Sequence, residues 1–393
     1  MKACIIGWYG TETIGDRGIL AGIISILAEY DKNLSINLGS LYPFFSKRTL
    51  REDAALYNQL AGYSIETNLF DSTKKDDLHR AIHEADILIM GGGPLMDLSE
   101  MYMVRYAFKY AKKNGRRTIV FGCGVGPLFH KETQLCALDI MDLADYIILR
   151  DSVSYSNIHE IADCYHRKFE DKKIHVGFDP AVECVYNSKK IIAKEQHWYK
   201  NKTVVVNLRD FPLEYLKDRK ELSINNINDF FVNLLNSIRD FDKIPVLIPM
   251  HYFSVGNDDR LFLHTLCMSD RRLSDVFVQN HPLSLLETIR KFYEADIAIG
   301  MRFHSVVFQT IVNGKNFVLD YTEPGKGKIN GFMKDFFKNI DYQSRYSNLQ
   351  IEIPSVKTLV HQALSCNRID DCSIDEYYKI GRIEYEKMLV SLT

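Results

Sequence analysis

Short apolar runs, closed by glycine or by a polar loop, recur along the chain at Ala3 to Gly7, Ile87 to Met90, Thr118 to Phe121, Tyr146 to Leu149, Val204 to Val206, Pro245 to Ile248 and Ile297 to Ile299. An unbroken run of this kind fits a strand covered on both faces, as in a parallel sheet. Between the runs lie stretches of helical period, Gly18 to Tyr30, Met103 to Asn114, Ile227 to Phe241 and Leu283 to Ala295, suited to crossover helices. Strand alternating with helix predicts an α/β protein with doubly wound sheets.

The pattern is interrupted at Tyr186 to Lys202, where YNSKKIIAKEQHWYKNK is polar and lysine-rich. A boundary there gives two Rossmann-like domains, residues 1–186 and 203–345, expected to face one cleft. The stretch from Pro354 to Thr393 reads as a helical tail packing back on the first domain. A length of 393 residues suits two cores of ordinary size. In open parallel sheets ligands bind beyond the carboxyl ends of the strands, so chemistry is sought in the loops that follow them.

In the first domain these loops are rich in glycine. GWYGTETIGDRGIL sets Gly7, Gly10, Gly15 and Asp16 between a strand and a helix, the outline of a phosphate or carboxylate cradle. Its spacing matches neither the dinucleotide fingerprint nor a Walker loop, and the plain reading makes Asp16 a helix N-cap. MGGGPLMD supplies Gly91, Gly92, Gly93 and Asp97, and GCGVGPL supplies Gly122, Gly124 and Gly126, bare backbone that a ligand can approach closely. LRDSVS carries Arg150, Asp151 and Ser154, and GFDPAV carries Asp179; each alone reads as a cap or a surface ion pair.

The second domain offers sharper chemistry. VVVNLRDF delivers Arg209 beyond a strand, and IAIGMRFHS delivers Arg302 and His304 beyond another. If that tract is extended, alternation puts Arg302 and His304 on one face. Two guanidiniums suit a ligand bearing both phosphate and carboxylate, with His304 as proton carrier. A structural Arg-His pair is the plain alternative. LDYTEPGKGKINGF adds Asp320, Tyr321, Lys326 and Lys328 on a glycine-bearing loop, expected to move as a lid over an anion or else to carry solvated lysines.

Taken in order over residues 1 to 335, these segments resemble the polysaccharide pyruvyl transferase family. The resemblance implies a glycosyltransferase-B-like pair of Rossmann domains, phosphoenolpyruvate as donor, and no metal or other cofactor. The product would be a pyruvyl ketal on a cell-surface polysaccharide or its lipid-linked precursor. Arg209, Arg302 and His304 match the donor-binding and catalytic positions. Gly10, Asp16, Gly92, Gly93, Asp97, Gly124, Arg150, Ser154, Asp179, Tyr321, Lys326 and Lys328 are the expected substrate-binding residues. The chain departs from the family at Thr13 or Ile14, where asparagine is usual, and around Glu323 to Gly327, where residues are added. The same fold could instead serve a glycosyltransferase using a nucleotide sugar, or a non-catalytic saccharide-binding protein.

Composition narrows the partners. A formal net charge of -2 with 25% charged residues lacks the basic excess of a nucleic-acid binder. No apolar stretch approaches the ~18 to 20 residues that span a bilayer, and the opening MKACIIGWYG lacks a signal-peptide core, so a cytoplasmic location is expected. Lys109, Lys112, Lys113, Arg116 and Arg117 form a candidate surface for peripheral contact with the inner face of the membrane; a solvated helix end explains them equally well. The eight cysteines show no metal or redox spacing and read as small buried hydrophobes.

Overall fold

The computed structural model describes residues 1–91, 93–169, 174–195, 202–212, 223–253, 255, 257–338 and 342–392. The chain divides into two compact units, Met1–Asn187 with Asp375–Thr393, and Ser188–Ile374.

The first unit carries strands β1 (Lys2–Ile6), β2 (Ser35–Ser40), β3 (Glu66–Asp71), β4 (Ile87–Met90), β5 (Arg117–Cys123), β6 (Tyr146–Leu149) and β7 (Ile174–Val176). They alternate with helices α1 (Ile14–Tyr30), α2 (Pro43–Ala61), α3 (Lys75–His83), α4 (Met101–Lys113), α5 (Lys131–Leu143) and α6 (Ser152–Cys164), and α7 (Ala181–Glu195) follows the last strand. The sheet order is β3-β2-β1-β4-β5-β6-β7, every pair parallel, as helical crossovers require. Cys4, Ile6, Leu88, Met90, Val120 and Ile147 pack into one core with the helices on that face. The order reverses between β1 and β4, and at such a switch point the loops part to leave a crevice.

The second unit repeats the plan. Strands β8 (Thr203–Asn207), β9 (Ile244–Leu247), β10 (Phe277–Val278), β11 (Ile297–Gly300), β12 (Asn316–Asp320) and β13 (Tyr346–Asn348) alternate with α8 (Ile224–Asp240), α9 (Asp259–Ser269), α10 (Leu285–Glu294), α11 (Phe303–Phe308) and α12 (Lys328–Phe336). The order is β10-β9-β8-β11-β12-β13, again all parallel, with the switch point between β8 and β11. Both units are therefore Rossmann-like doubly wound α/β domains.

Two details differ from the sequence reading. The lysine-rich stretch is helical as far as it is described: α7 runs to Glu195, the unit boundary falls inside it after Asn187, and residues 196–201 lie outside the described residues. The tail is not one body. Its first helix, α13 (Val356–Ser365), belongs to the second unit, and only from Asp375 does α14 (Asp371–Ser391) join the first. There the Tyr385 hydroxyl donates to the Phe178 carbonyl, Tyr378 donates to buried Glu183 at 2.8 Å, and Arg382 lies 3.5 Å from the same carboxylate. Among the described residues no helix is long and apolar enough to cross a membrane.

Candidate active site

At the switch point of the second unit, buried Asn207 ends β8 and ties three strands together. Its Nδ2 donates to the Ile248 carbonyl at 2.9 Å beyond β9, and its Oδ1 accepts from the Arg302 backbone N–H at 3.0 Å beyond β11. Arg302 is thereby fixed as the N-cap residue of α11. Its guanidinium is fixed too: Nε donates to both oxygens of Asp259 at 3.0 and 2.8 Å, and Nη2 donates to the same carboxylate. Asp259, only 1% exposed in its side chain, also accepts from the backbone N–H groups of Met250 and His251 at 3.0 and 3.1 Å. A fork held along one edge keeps the donors of its other edge in a constant direction, which suits a planar anion.

His304 does not stand beside Arg302 by strand alternation. The chain turns into a helix at Phe303, and residues two apart on a helix do not face each other. The half-buried imidazole packs edge-on against Phe303, ring centroids 5.0 Å apart. Arg209 reaches in from the β8 loop, donating from Nη1 to the Tyr321 hydroxyl at 3.0 Å, with its guanidinium carbon 4.8 Å from that ring's centroid.

Tyr321, just past β12, is 3% exposed. Burial opposes ionisation of its phenol, yet the positive charges of Lys328, Arg209 and Arg302 outweigh burial and bring its pKa from 10.0 down to about 8. Neighbouring Asp320 is pushed up to about 6, chiefly by burial, although Thr322 and Tyr346 donate to it. The 321–328 segment is a tight turn rather than an open loop. Lys326 and Gly327 both donate to the Glu323 carbonyl, at 3.2 and 2.9 Å, and a Cβ on Gly327 would fall 1.8 Å from the Thr322 hydroxyl. Lys328 begins α12 and is half-buried, whereas Lys326 is exposed. The two lysines expected to act together as a lid thus have different surroundings.

In the first unit the predicted residues fall into two groups. The first surrounds the β1–β4 switch point: Gly10 at φ 91 and Gly93 at φ 72, and Asp16, 7% exposed, which accepts from Thr11 at 3.2 Å. Asp16 is not the N-cap; Thr13 holds that place. Trp8 locks the two loops together, its indole N–H donating to the Pro94 carbonyl at 2.9 Å where a Cβ on Gly93 would come 2.5 Å from the ring. Gly92 lies outside the described residues.

The second group is tied into local hydrogen bonds and ion pairs beyond β4, β5, β6 and β7. Arg150, 2% exposed in its side chain, pairs with Asp151 at 3.1 Å and Asp179 at 3.7 Å. Gly124 leaves room for that guanidinium, whose carbon would lie 2.3 Å from an added Cβ. Asp151 caps α6 through the Ser154 backbone N–H at 2.6 Å, and the Ser154 hydroxyl accepts from Val125 at 3.0 Å. Asp97 accepts from Phe129 N–H at 2.6 Å and from Thr133. The basic cluster on α4 is partly engaged: Lys112 pairs with Asp145 at 2.5 Å, and Arg116 and Arg117 each donate to a backbone carbonyl at 2.7 Å.

Asn207 and Asp259 escaped the sequence reading. Asn207 sits inside the quoted NLRDF, where a polar residue closing a β run is a weak signal. Asp259 lies 43 residues from Arg302 in a stretch that reads as an ordinary acidic helix start.

Solved structures share this architecture at low identity. A UDP-GlcNAc 2-epimerase from Neisseria meningitidis bound to UDP-GlcNAc matches with a TM-score of 0.61 at 11% identity, covering 99% of this chain and 100% of that one. The enzyme of the same name from Methanocaldococcus jannaschii gives 0.58 at 12%, covering 98% and 99%, and the OtsA apo structure gives 0.54 at 11%, covering 100% and 99%. At such identities the likeness is one of fold, and it is glycosyltransferase-B-like. No curated protein matches the sequence significantly. The profile described as polysaccharide pyruvyl transferase matches residues 14–323, an interval that includes both switch-point helices, Asn207, Arg209, Asp259, Arg302, His304 and Tyr321, and the chain belongs to that family.

Proposed function

We propose that the protein transfers the pyruvyl group of phosphoenolpyruvate to a pair of hydroxyls on a saccharide, forming a cyclic ketal. The observation that carries this reading is the convergence of Lys328, Arg209 and Arg302 on Tyr321, a field positive enough to lower a buried phenol to about 8. A donor carrying both phosphate and carboxylate suits such a field.

The chemistry balances without a redox step. A proton adds to the methylene carbon of phosphoenolpyruvate while a sugar hydroxyl bonds to the central carbon. The C–O bond to phosphate then breaks, and the second hydroxyl closes the ketal. Of the two hydroxyl protons, one is balanced by the new methyl group and the other leaves with phosphate. In this proposal His304 acts as the acid or base for these transfers, help worth about 10² to 10⁴-fold. Asp259 acts through Arg302 as a positioning residue. In this reading the acceptor is a lipid-carried saccharide or a polysaccharide, met inside the cell.

The same cations would suit the diphosphate of a nucleotide sugar, the class of ligand named in the Neisseria epimerase complex. The deciding experiment incubates the protein with extracted lipid-linked saccharides and either labelled phosphoenolpyruvate or labelled nucleotide sugars. Label from phosphoenolpyruvate in the saccharide, with release of phosphate, is the expected result. Label from the nucleotide sugar alone overturns the reading, as does unchanged phosphoenolpyruvate affinity in the Arg209→Ala, Arg302→Ala double variant.

A further inference from the structure

Between β1 and α1 the chain passes through Glu12 at φ 62, a left-handed conformation uncommon outside glycine, asparagine and aspartate. The Glu12 side chain is 2% exposed. One oxygen accepts from Arg48 of α2; the other, Oε1, is buried and has no hydrogen-bond partner among the described residues. A buried carboxylate oxygen left unpaired is costly, so its surroundings matter. Glu12 lines a cavity of about 20 Å³ with Tyr9, Thr13, Asp16, Arg17 and Thr49. That volume admits one group the size of a water molecule or a hydroxyl.

The charges around the cavity select the group. Arg17 is held by Asp53 at 2.6 Å through both Nε and Nη2, and Arg48 by Glu12 and by Glu52 at 2.9 Å. Four carboxylates, Glu12, Asp16, Glu52 and Asp53, thus outnumber two guanidiniums that are already engaged. An anion is repelled there, and a neutral O–H donor is welcome.

A second feature lies on the helix that holds Glu12 through Arg48. Phe44 is 82% exposed and stands four residues before Arg48 on α2, hence one turn along the same helix face. The start of α2 is pinned to the β1 loop: Leu41 donates to the Tyr9 carbonyl at 2.9 Å, and a Cβ on Gly10 would fall 2.8 Å from the Tyr42 backbone. An exposed aromatic ring one helical turn from the arginine that holds Glu12 fits a pyranose, whose C–H face can lie on a ring while an edge hydroxyl reaches a carboxylate.

We propose that Glu12 and Phe44 form a saccharide-binding subsite of the first unit, in which Oε1 of Glu12 accepts a hydrogen bond from one hydroxyl of a neutral pyranoside and Phe44 carries the ring. Naming that sugar the pyruvyl acceptor rests on the function proposed above; its binding does not.

The test uses the full chain and saturation-transfer NMR with the methyl pyranosides of galactose, glucose and mannose, their 4-deoxy and 6-deoxy analogues, and glucosamine. At least one neutral pyranoside binds the wild-type protein, and one of its deoxy analogues binds about tenfold more weakly, the loss expected for a hydrogen bond to a carboxylate. Glu12→Leu and Phe44→Ala reduce binding by a similar factor, and Glu12→Gln, which keeps an acceptor oxygen, reduces it less. Phe44→Ala alters an exposed side chain, so it tests the site even where Glu12→Leu fails to fold. Absence of saturation transfer from every pyranoside overturns the proposal, as does undiminished binding in Phe44→Ala and Glu12→Gln, or preference for glucosamine over the neutral sugars. Phosphoenolpyruvate affinity is measured on the same samples. Sugar binding with no phosphoenolpyruvate binding would leave the subsite standing and remove the donor; the reverse would remove the subsite alone.

Discussion

Each unit buries a tyrosine close to its switch point. Tyr9, 4% exposed, donates to the Gly91 carbonyl, and burial, Asp16, Cys123 and Asp179 push its phenol well above the usual value. Tyr321 is equally buried, yet Lys328, Arg209 and Arg302 draw its phenol down to about 8. The sheets behind these two residues have the same strand order up to one extra edge strand. A common backbone plan therefore leaves the sign of the local field to the loops, acidic around Tyr9 and cationic around Tyr321. The fold alone assigns neither.

The sharpest way to break this contrast is His304→Gln. It should lower turnover by about two orders of magnitude or more while phosphoenolpyruvate affinity stays within a few-fold, because an interaction made chiefly in the transition state is lost. Phosphate-release kinetics beside calorimetric titration reads both quantities, and near-normal turnover would leave catalysis to the cations alone.

Next in size is Asp259→Asn. Removing one member of a largely buried ion pair costs about 3 kcal/mol, measurable as a lower urea midpoint, and phosphoenolpyruvate binding should weaken with it because Arg302 loses its orientation. Asp179→Asn, on the pair facing Arg150 in the first unit, should cost stability and leave phosphoenolpyruvate affinity unchanged.

The tyrosines themselves supply a pH test. A phenol ionising near 8 when folded and near 10 when unfolded releases its proton earlier in the native state, so the unfolded chain holds more protons between those values. Stability from this group therefore grows as pH rises from 8 to 10, by on the order of 2 kcal/mol, and is lost as pH falls back through 8. Tyrosinate absorbance should show one early titration that Tyr321→Phe abolishes and Tyr9→Phe does not. The smallest effect is that of salt: higher ionic strength should weaken phosphoenolpyruvate binding several-fold and leave pyranoside binding nearly unchanged.

The strands legible in the sequence are the central ones. β1, β4, β5 and β6 in the first unit and β8, β9 and β11 in the second are covered on both faces, and their apolar runs match their observed spans to within two residues at each end. β3, β7, β10 and β13, which the periodicity passed over, are the four sheet edges. An edge strand is half-exposed or only two or three residues long, so ETNLFD or YSN carries no apolar run. Two interior strands are absent from the apolar runs: β2, because SINLGS mixes polar and small residues although it is buried, and β12, whose short buried run NFVLD is bounded by polar residues. In the site, Arg209, Arg302 and His304 were legible because cations and an imidazole right after a β run stand out. Asp259 and Glu12 were not, since one acts across 43 residues and the other depends on a backbone angle that no residue pattern announces. The alternation linking Arg302 to His304 failed because the strand ends at Gly300 and a helix starts before the period can act.

The return of α14 to the first unit has a consequence for biosynthesis. The second unit is one uninterrupted piece of chain, 188–374, whereas the first is split by it. On the ribosome the second unit can close as soon as its own sequence has emerged. The first must wait for the C-terminal helix, and until then Phe178 lacks Tyr385, and Glu183, fully buried in the finished protein, lacks Tyr378 and Arg382. A chain cut before Asp375 would keep every residue of both switch points and still leave a carboxylate and an aromatic ring uncovered, a natural mark for quality control of incomplete product.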